Sequence, residues 1–400
     1  MVTSTSKISS QKVKANHRRL VLAQIIQNGP VARTEIAKQS GLTLASVSRI
    51  ARNLIDAGMV VEGETLSNSG PGRPFISLDV NETGAYVLSV SINRFSQIVT
   101  LANLKNQVVA KADLSIDDFT QSNVVIRAIG QAMNDLLAQS NIARWQLMGA
   151  CVAAAGAVDP SLGHIISAPA LGWQEVDLAA QLQQLIQLPV HVETLANAIN
   201  LAETRFGISR EYDHVVLYNL SLGIGASFIE DNRVVRGADH AAGAIGSMPM
   251  WRDQAGERIT VDQVAGGWGV LAHKSSSPSN TALSYSASVR DQLMQTIENA
   301  EQGDKNAQMA LQDAGQNMGE VLALVSHMMA PQVNIIAGPL ANNKQYVEAL
   351  ERSAQCAAGT ELRIIVSQMP WATAASWLAI HEFCMIRDID VDKLVRGLAA

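Results

Sequence analysis

Thr34-Glu35-Ile36-Ala37-Lys38-Gln39-Ser40-Gly41-Leu42-Thr43-Leu44-Ala45-Ser46-Val47-Ser48-Arg49 decides how the N-terminal part of the chain folds. Gly41 supplies the tight turn that two crossing helices need. Thr43 is placed to cap the later helix with its hydroxyl. Val47, Ile50 and Leu54 recur at three- and four-residue steps, so one face of that helix turns inward and the other faces solvent. Its expected span runs to about Ala57, where Gly58 stops it. Upstream, residues 16–27 carry apolar residues at helical spacing and end at Asn28-Gly29-Pro30. A second helix, with Thr34 as its expected cap, follows to Gln39.

Met59-Val60-Val61-Glu62 and Phe75-Ile76-Ser77-Leu78 read as short strands joined by a loop rich in Ser, Asn, Gly and Pro. That makes residues 15–80 a winged helix-turn-helix. The N-terminal turn of the third helix presents Ala45, Ser46, Ser48 and Arg49 outward. A major groove about 12 Å wide admits one such helix, and small side chains allow close approach to base edges. Arg49 suits a guanine or phosphate contact, and Thr43 and Arg52 suit phosphates. In the loop, Gly70-Pro71-Gly72-Arg73-Pro74 offers Arg73 to a narrow, negative A·T minor groove.

Charge agrees with that reading. Residues 1–80 hold ten basic against five acidic side chains, whereas the remainder carries −11 of a total of −6. A basic head on an acidic body points to nucleic acid at the head alone. At 400 residues the chain is long enough for two or three domains, and 48% hydrophobic with 16% charged residues describes a well-packed protein. No apolar run reaches the roughly 18–20 residues that span a bilayer, and the N-terminus lacks the apolar core of a secretory signal. The cytoplasm is the expected location, with no membrane partner. Cys151, Cys356 and Cys384 form no CxxC pair and are expected as buried free thiols.

From Ala85 the texture changes. Strands are expected near 86–92, 97–104, 108–110, 147–154, 189–193, 214–220 and 225–229. Helices are expected near 122–140, 283–329 and 369–384. Strands alternating with helices imply an α/β core with two sheets.

Further stretches complete the pattern: Ala155-Gly156-Ala157-Val158-Asp159-Pro160, Ala168-Pro169-Ala170-Leu171-Gly172-Trp173, Leu222-Gly223-Ile224-Gly225-Ala226, and Arg236 to Ser247. With the head and its Gly72-Arg73-Pro74, these make the chain resemble the transcriptional regulators of the ROK family, over nearly all of residues 15–390. The resemblance implies a winged helix-turn-helix followed by a two-lobed actin-like (ribonuclease H-like) sugar-kinase fold, dimeric or tetrameric. It places the head at 1–80, one lobe at 81–196 plus 375–400, and the other at 197–374.

Departures from the family's kinase pattern are concentrated in its site. The kinases cradle phosphate on an Asp-x-Gly-Gly-Thr turn, whose glycines let backbone amides approach the anion; here the stretch is Ser91-Ile92-Asn93-Arg94-Phe95. The general base of Glu-Asn-Asp-Ala-Asn falls on Leu195 within Glu193-Thr194-Leu195-Ala196-Asn197. Leucine cannot accept a proton. The family's Glu-x-Gly-His becomes Ala244-Ile245-Gly246-Ser247, and no cysteine lies between Pro249 and Leu271, so zinc has no ligands. Ala170 replaces the asparagine often found in the family's Ser-Pro-Asn-Leu-Gly-Trp stretch.

The resemblance thus implies an effector pocket of Ala170, Glu193, Thr194, Leu195, Ala244 and Ser247, all but Glu193 altered from the family's residues. Hydroxyls of a hexose left unpaired there would cost about 1–3 kcal/mol each, so a standard hexose is not expected to bind in the standard way. His240 has no evident partner and is expected as a loop residue. Trp251, Trp268 and Trp371 are expected mainly in cores, and Glu320/His327 and His381/Glu382 as structural pairs.

The expected function is a DNA-binding regulator, a repressor of carbohydrate genes, without catalytic residues, metal or cofactor. Its expected partners are an operator, a further copy of itself, and a sugar-like effector or a protein partner. A sugar kinase carrying an accessory DNA head is the rival from another class. Substituting Arg73→Ala should weaken binding most on A·T-flanked sites, read as mobility shifts on matched operator variants. Equal losses on every sequence would contradict the minor-groove assignment.

Overall fold

The computed structural model describes residues 3–66, 75–114, 116, 118–252, 256–272 and 288–399. In the head, α1 (Thr3–Asn28), β1 (Val31–Ala32), α2 (Arg33–Ser40), α3 (Leu44–Asp56), β2 (Val60–Leu66) and β3 (Phe75–Val80) follow in order. The strands form an antiparallel sheet in the order β1-β3-β2. Gly41 sits at φ +69°, the left-handed turn that a side chain would strain. Thr43 caps α3, its hydroxyl accepting the Ser46 N–H at 3.2 Å. Thr34 does not cap α2. That helix begins at Arg33, directly from extended Ala32, because β1 is held by pairing with Ser77 and Leu78. Val47, Ile50 and Leu54 are buried. The loop holding Arg73 lies outside the described residues.

The body repeats one sheet pattern twice. The first sheet contains β4 (Tyr86–Ile92), β5 (Ile98–Asn103) and β6 (Val108–Asp113) as an antiparallel meander, then β7 (Leu147–Ala154) after α4 (Ser122–Gln139). A small sheet follows of β8 (Ala157–Asp159), β9 (His164–Ala168) and β10 (Trp173–Val176). Then come α5 (Leu178–Ile186), β11 (Val190–Thr194) and α6 (Leu195–Phe206). Strand order is β11-β7-β4-β5-β6, with β11, β7 and β4 parallel.

The second sheet begins with the meander β12 (Val215–Leu220), β13 (Ile224–Glu230) and β14 (Arg233–Val235). A ribbon of β15 (Pro249–Arg252) and β16 (Arg258–Thr260) and four helices intervene: α7 (Val261–Ala265), α8 (Gly267–Ala272), α9 (Ser288–Glu301) and α10 (Lys305–Met329). The parallel strands β17 (Val333–Ala337) and β18 (Ile364–Val366), separated by α11 (Lys344–Ala358), complete the order β14-β13-β12-β17-β18. The chain ends in α12 (Trp371–Ile380), a π-helical turn at His381–Ile386 and α13 (Val391–Leu398).

Helices α6 and α12 pack against each other; α12 also contacts β4 and β7, and α6 contacts β12 and β13, which puts α6 between the sheets. Alternation along β12 follows: Val215 and Leu217 join the core between the sheets, whereas Val216, Tyr218 and Leu220 face α10 and its neighbours. The inner core does not stop at the body. It continues without a break into Val21, Leu22, Ile25, Val47 and Leu54 of the head and into Ile389, Val391 and Leu394 at the C-terminus. Polar contacts reinforce the junction. Arg18 pairs with Asp388 at 2.6 Å, Arg19 donates to the Ile386 carbonyl at 2.8 Å, Lys105 pairs with Asp79 at 2.9 Å, and Arg210 donates to Asn28 Oδ1 at 2.9 Å.

Cys151 and Cys384 are buried, but Cys356 is exposed on α11, contrary to expectation. No described helix is long and apolar enough to cross a membrane. Truncating Leu394 to alanine removes apolar contacts from the core shared by head and body. A loss of about 2–5 kcal/mol is expected, measured as a shift in urea midpoint; an unchanged midpoint would show that α13 does not stabilise the fold.

Candidate nucleic-acid interface and effector cleft

Capping at Thr43 and burial of Val47, Ile50 and Leu54 leave the opposite face of α3 open. Thr43, Ala45, Ser48, Arg49 and Arg52 are exposed, and Ser46 is half-buried beneath Thr43, whose hydroxyl donates to Ser46 Oγ at 3.0 Å. Among the described residues, Arg49 and Arg52 make no ion pair or hydrogen bond, so both guanidinium groups remain available. Leu44 and Asn53 share the exposed face and were not singled out from sequence.

A cleft of about 910 Å³ opens in the body. All five altered positions line it: Ala170, Thr194, Leu195, Ala244 and Ser247. Thr194 caps α6 by accepting the Asn197 N–H at 3.2 Å, which puts Leu195 at the first position of the helix, almost wholly buried. The Ser247 hydroxyl is spent locally, donating to the Ala244 carbonyl at 2.9 Å. Glu193 does not line the cleft. Its buried carboxylate accepts from Arg236 at 2.6 Å, from Asn197 Nδ2 at 2.9 Å and from the Thr194 N–H at 2.8 Å. Arg236 follows β14, so this pair ties the two sheets together.

The turn after β4 is closed by its own asparagine. Asn93 Oδ1 accepts the Phe95 and Ser96 N–H groups at 2.8 and 3.0 Å, closing the turn on itself. Arg94 donates to the Ala170 carbonyl and lies over the Phe119 ring, 5.6 Å from its centroid.

Asp262, in the first turn of α7, also faces the cleft, and sequence reasoning passed over it. The capping box of Thr260 and Gln263 marks that helix start and was the available signal. Asp262 Oδ1 accepts the Ile224 N–H at 2.6 Å, and Gly246 leaves it room, since a Cβ there would lie 2.0 Å from the same oxygen. Burial pushes the Asp262 carboxyl up to about 6, against partial relief from the Ile224 N–H.

His240, expected from sequence to have no partner, does have one: its Nε2 lies 3.4 Å from Asp159 Oδ1, and the residue lines the cleft. Trp268 lines the cleft, whereas Trp251 and Trp371 pack on the apolar cores. Glu320 and His327 are exposed on α10; His381 and Glu382 sit in the π-helical turn, with burial pushing His381 down to about 4. Among the described residues no group of three or more His, Cys, Asp or Glu side chains is arranged to hold a metal ion.

The raised carboxyl has a pH consequence. Between about pH 4 and pH 6 the folded chain keeps a proton on Asp262 that the unfolded chain releases, so its contribution to stability falls as pH rises through that window. Asp262→Asn should flatten this part of the melting-temperature profile and melt above the parent at neutral pH. An unaltered profile would contradict the buried, destabilised carboxylate.

Comparison with known proteins agrees with this geometry. The profile of the ROK family matches residues 88–374, and a winged helix-turn-helix DNA-binding profile matches residues 14–61. The DNA-binding transcriptional dual regulator NagC of Escherichia coli (strain K12) is 26% identical, over 96% of this chain and 97% of its own. The xylose repressor of Bacillus subtilis (strain 168) is 24% identical over 60% of this chain and 61% of its own. Among solved structures, a ROK family transcriptional regulator described as a homolog of the E. coli MLC protein superposes with a TM-score of 0.73. It is 23% identical and covers 96% of this chain and all of its own. A ROK family glucokinase from Streptomyces griseus, solved with glucose and AMPPNP, covers 74% of this chain and 99% of its own, with a TM-score of 0.61 and 20% identity, and shares the fold of the body. The chain therefore belongs to the ROK family, as one of its DNA-binding transcriptional regulators and not one of its kinases.

Proposed function

We propose that the chain represses genes for carbohydrate uptake or use, acting in the cytoplasm on a palindromic or A·T-rich operator. The observation that carries this reading is the open face of α3, with Ala45, Ser48 and Arg49 flanked by Thr43 and Arg52, on a body whose proton-acceptor position is the buried Leu195. Small side chains permit close approach to base edges, and the two arginines supply charge. Arg73 contributes the minor-groove contact.

The acting species is a homodimer or tetramer, since two heads one helical turn apart match two half-sites. Residues 81–196 with 375–400 form one lobe and 197–374 the other. A small-molecule effector, a sugar or a sugar derivative, enters the cleft and shifts the lobes. The core shared by head and body supports this reading, because a shift between lobes then changes head spacing.

Arg49→Ala should lower affinity for the cognate operator and relax base preference in the half-site core, whereas Arg52→Ala should weaken all sequences alike and reduce the salt slope by about 1. Fluorescence anisotropy on operator variants at several salt concentrations reads both. Unchanged base preference in Arg49→Ala would remove the base-reading role.

A further inference from the structure

The first turn of α3 spends its hydroxyls on itself. Thr43 Oγ1 accepts the Ser46 N–H at 3.2 Å, and its own proton goes to Ser46 Oγ at 3.0 Å. Ser46 lies half-buried beneath it. What this part of the DNA-reading face presents to solvent is therefore carbon: Leu44, 47% exposed, and the methyl of Ala45. Leu44 is the one large apolar side chain among the exposed residues of α3, where the others are Ala45, serine, arginine, asparagine and aspartate. The cap at Thr43 fixes it as the first residue of the helix.

The chemistry of base edges says what such a side chain can read. Leucine offers no hydrogen bond, so a donor or acceptor that it covers loses water and gains no partner. It gains by covering apolar surface alone. In the major groove that surface is the C5-methyl group of thymine, which no other base carries. The polar readers stand farther along the same helix. Arg49 and Arg52 make no ion pair or hydrogen bond among the described residues. No acidic side chain stands in the first turn to repel a phosphate beside Leu44. The face is thus divided, with apolar contact at its start and charge from the second turn onward.

We infer that Leu44 is a specificity-determining residue of the DNA-reading face. It packs on the C5-methyl group of a thymine in each half-site and disfavours every other base there, while Arg49 makes the polar contact beyond it. The inference rests on the operator-binding function proposed above and adds the base that one further residue selects.

The experiment uses the full-length protein and an operator recovered by selection from random duplexes. Each thymine of one half-site is replaced in turn by deoxyuridine, which lacks only the methyl group, and affinity is read by fluorescence anisotropy. At one position the parent should lose about fourfold, the effect of one buried methyl-sized group. Leu44→Ala should bind the thymine operator about fourfold more weakly than the parent and lose nothing further with deoxyuridine at that position, because both changes remove one shared contact. Leu44→Met keeps an apolar side chain and should restore the deoxyuridine penalty, and Arg49→Ala should leave it in place. A parent indifferent to deoxyuridine at every position, or a penalty that survives in Leu44→Ala, overturns the inference while operator binding stands. Selection that returns no preferred sequence removes the function proposed above, and this contact with it.

Discussion

Val21, Leu22 and Ile25 of the first helix belong to the same apolar cluster as Phe383, Ile389, Val391 and Leu394 of the C-terminal segment and as Leu195 and Ile199 of α6. Burial of apolar surface is the main favourable term in folding, and here a single buried surface spans three functional parts. The head is therefore seated on the body by packing, and the ion pairs of Arg18 and Lys105 add orientation at a partly exposed rim where such pairs contribute little. Helix α6 runs from Thr194 at the cleft toward the junction, and Arg210 beyond its end grips the last turn of α1. One packed core thus joins the start of α6 at the cleft to the helices of the head.

The same packing governs the start of α6. Leu195 extends the inter-sheet core to the N-terminus of α6, an apolar contact where the family resemblance places a proton acceptor. The Glu193 carboxylate retained beneath it is held by Arg236, Asn197 and the Thr194 amide, an arrangement in which both charge and hydrogen-bonding capacity are met within the protein. Breaking one partner of such a buried pair leaves the other charge uncompensated.

Much of the architecture was legible because periodicity and capping agreed with each other. Val47, Ile50 and Leu54 with Thr43 defined α3, and the apolar run at Leu147–Ala154 marked β7, an inner strand of the first sheet. Helix α11 escaped notice although its buried residues Tyr346, Ala349, Leu350 and Ala354 recur at three- and four-residue steps. Helix α6 is buried on all sides along Leu195 to Thr204, with Asn197, Asn200, Glu203 and Thr204 inside, so its polar residues do not mark a solvent face. Thr34 misled because the start of α2 is set by strand pairing with residues some 45 positions away. In the cleft, altered positions were found by their departure from a pattern, but Asp262, Asn219 and Arg236 depend on contacts between elements distant in sequence.

The account stands or falls on the head reading specific DNA while the body performs no phosphoryl transfer. Sequencing the genomic fragments retained by the purified full-length protein tests it most directly. A small set of sites, enriched many-fold over input, sharing a two-fold repeated motif and lying beside carbohydrate genes, is the predicted result. Retention of no fragment above input, or retention without any shared motif, would contradict it.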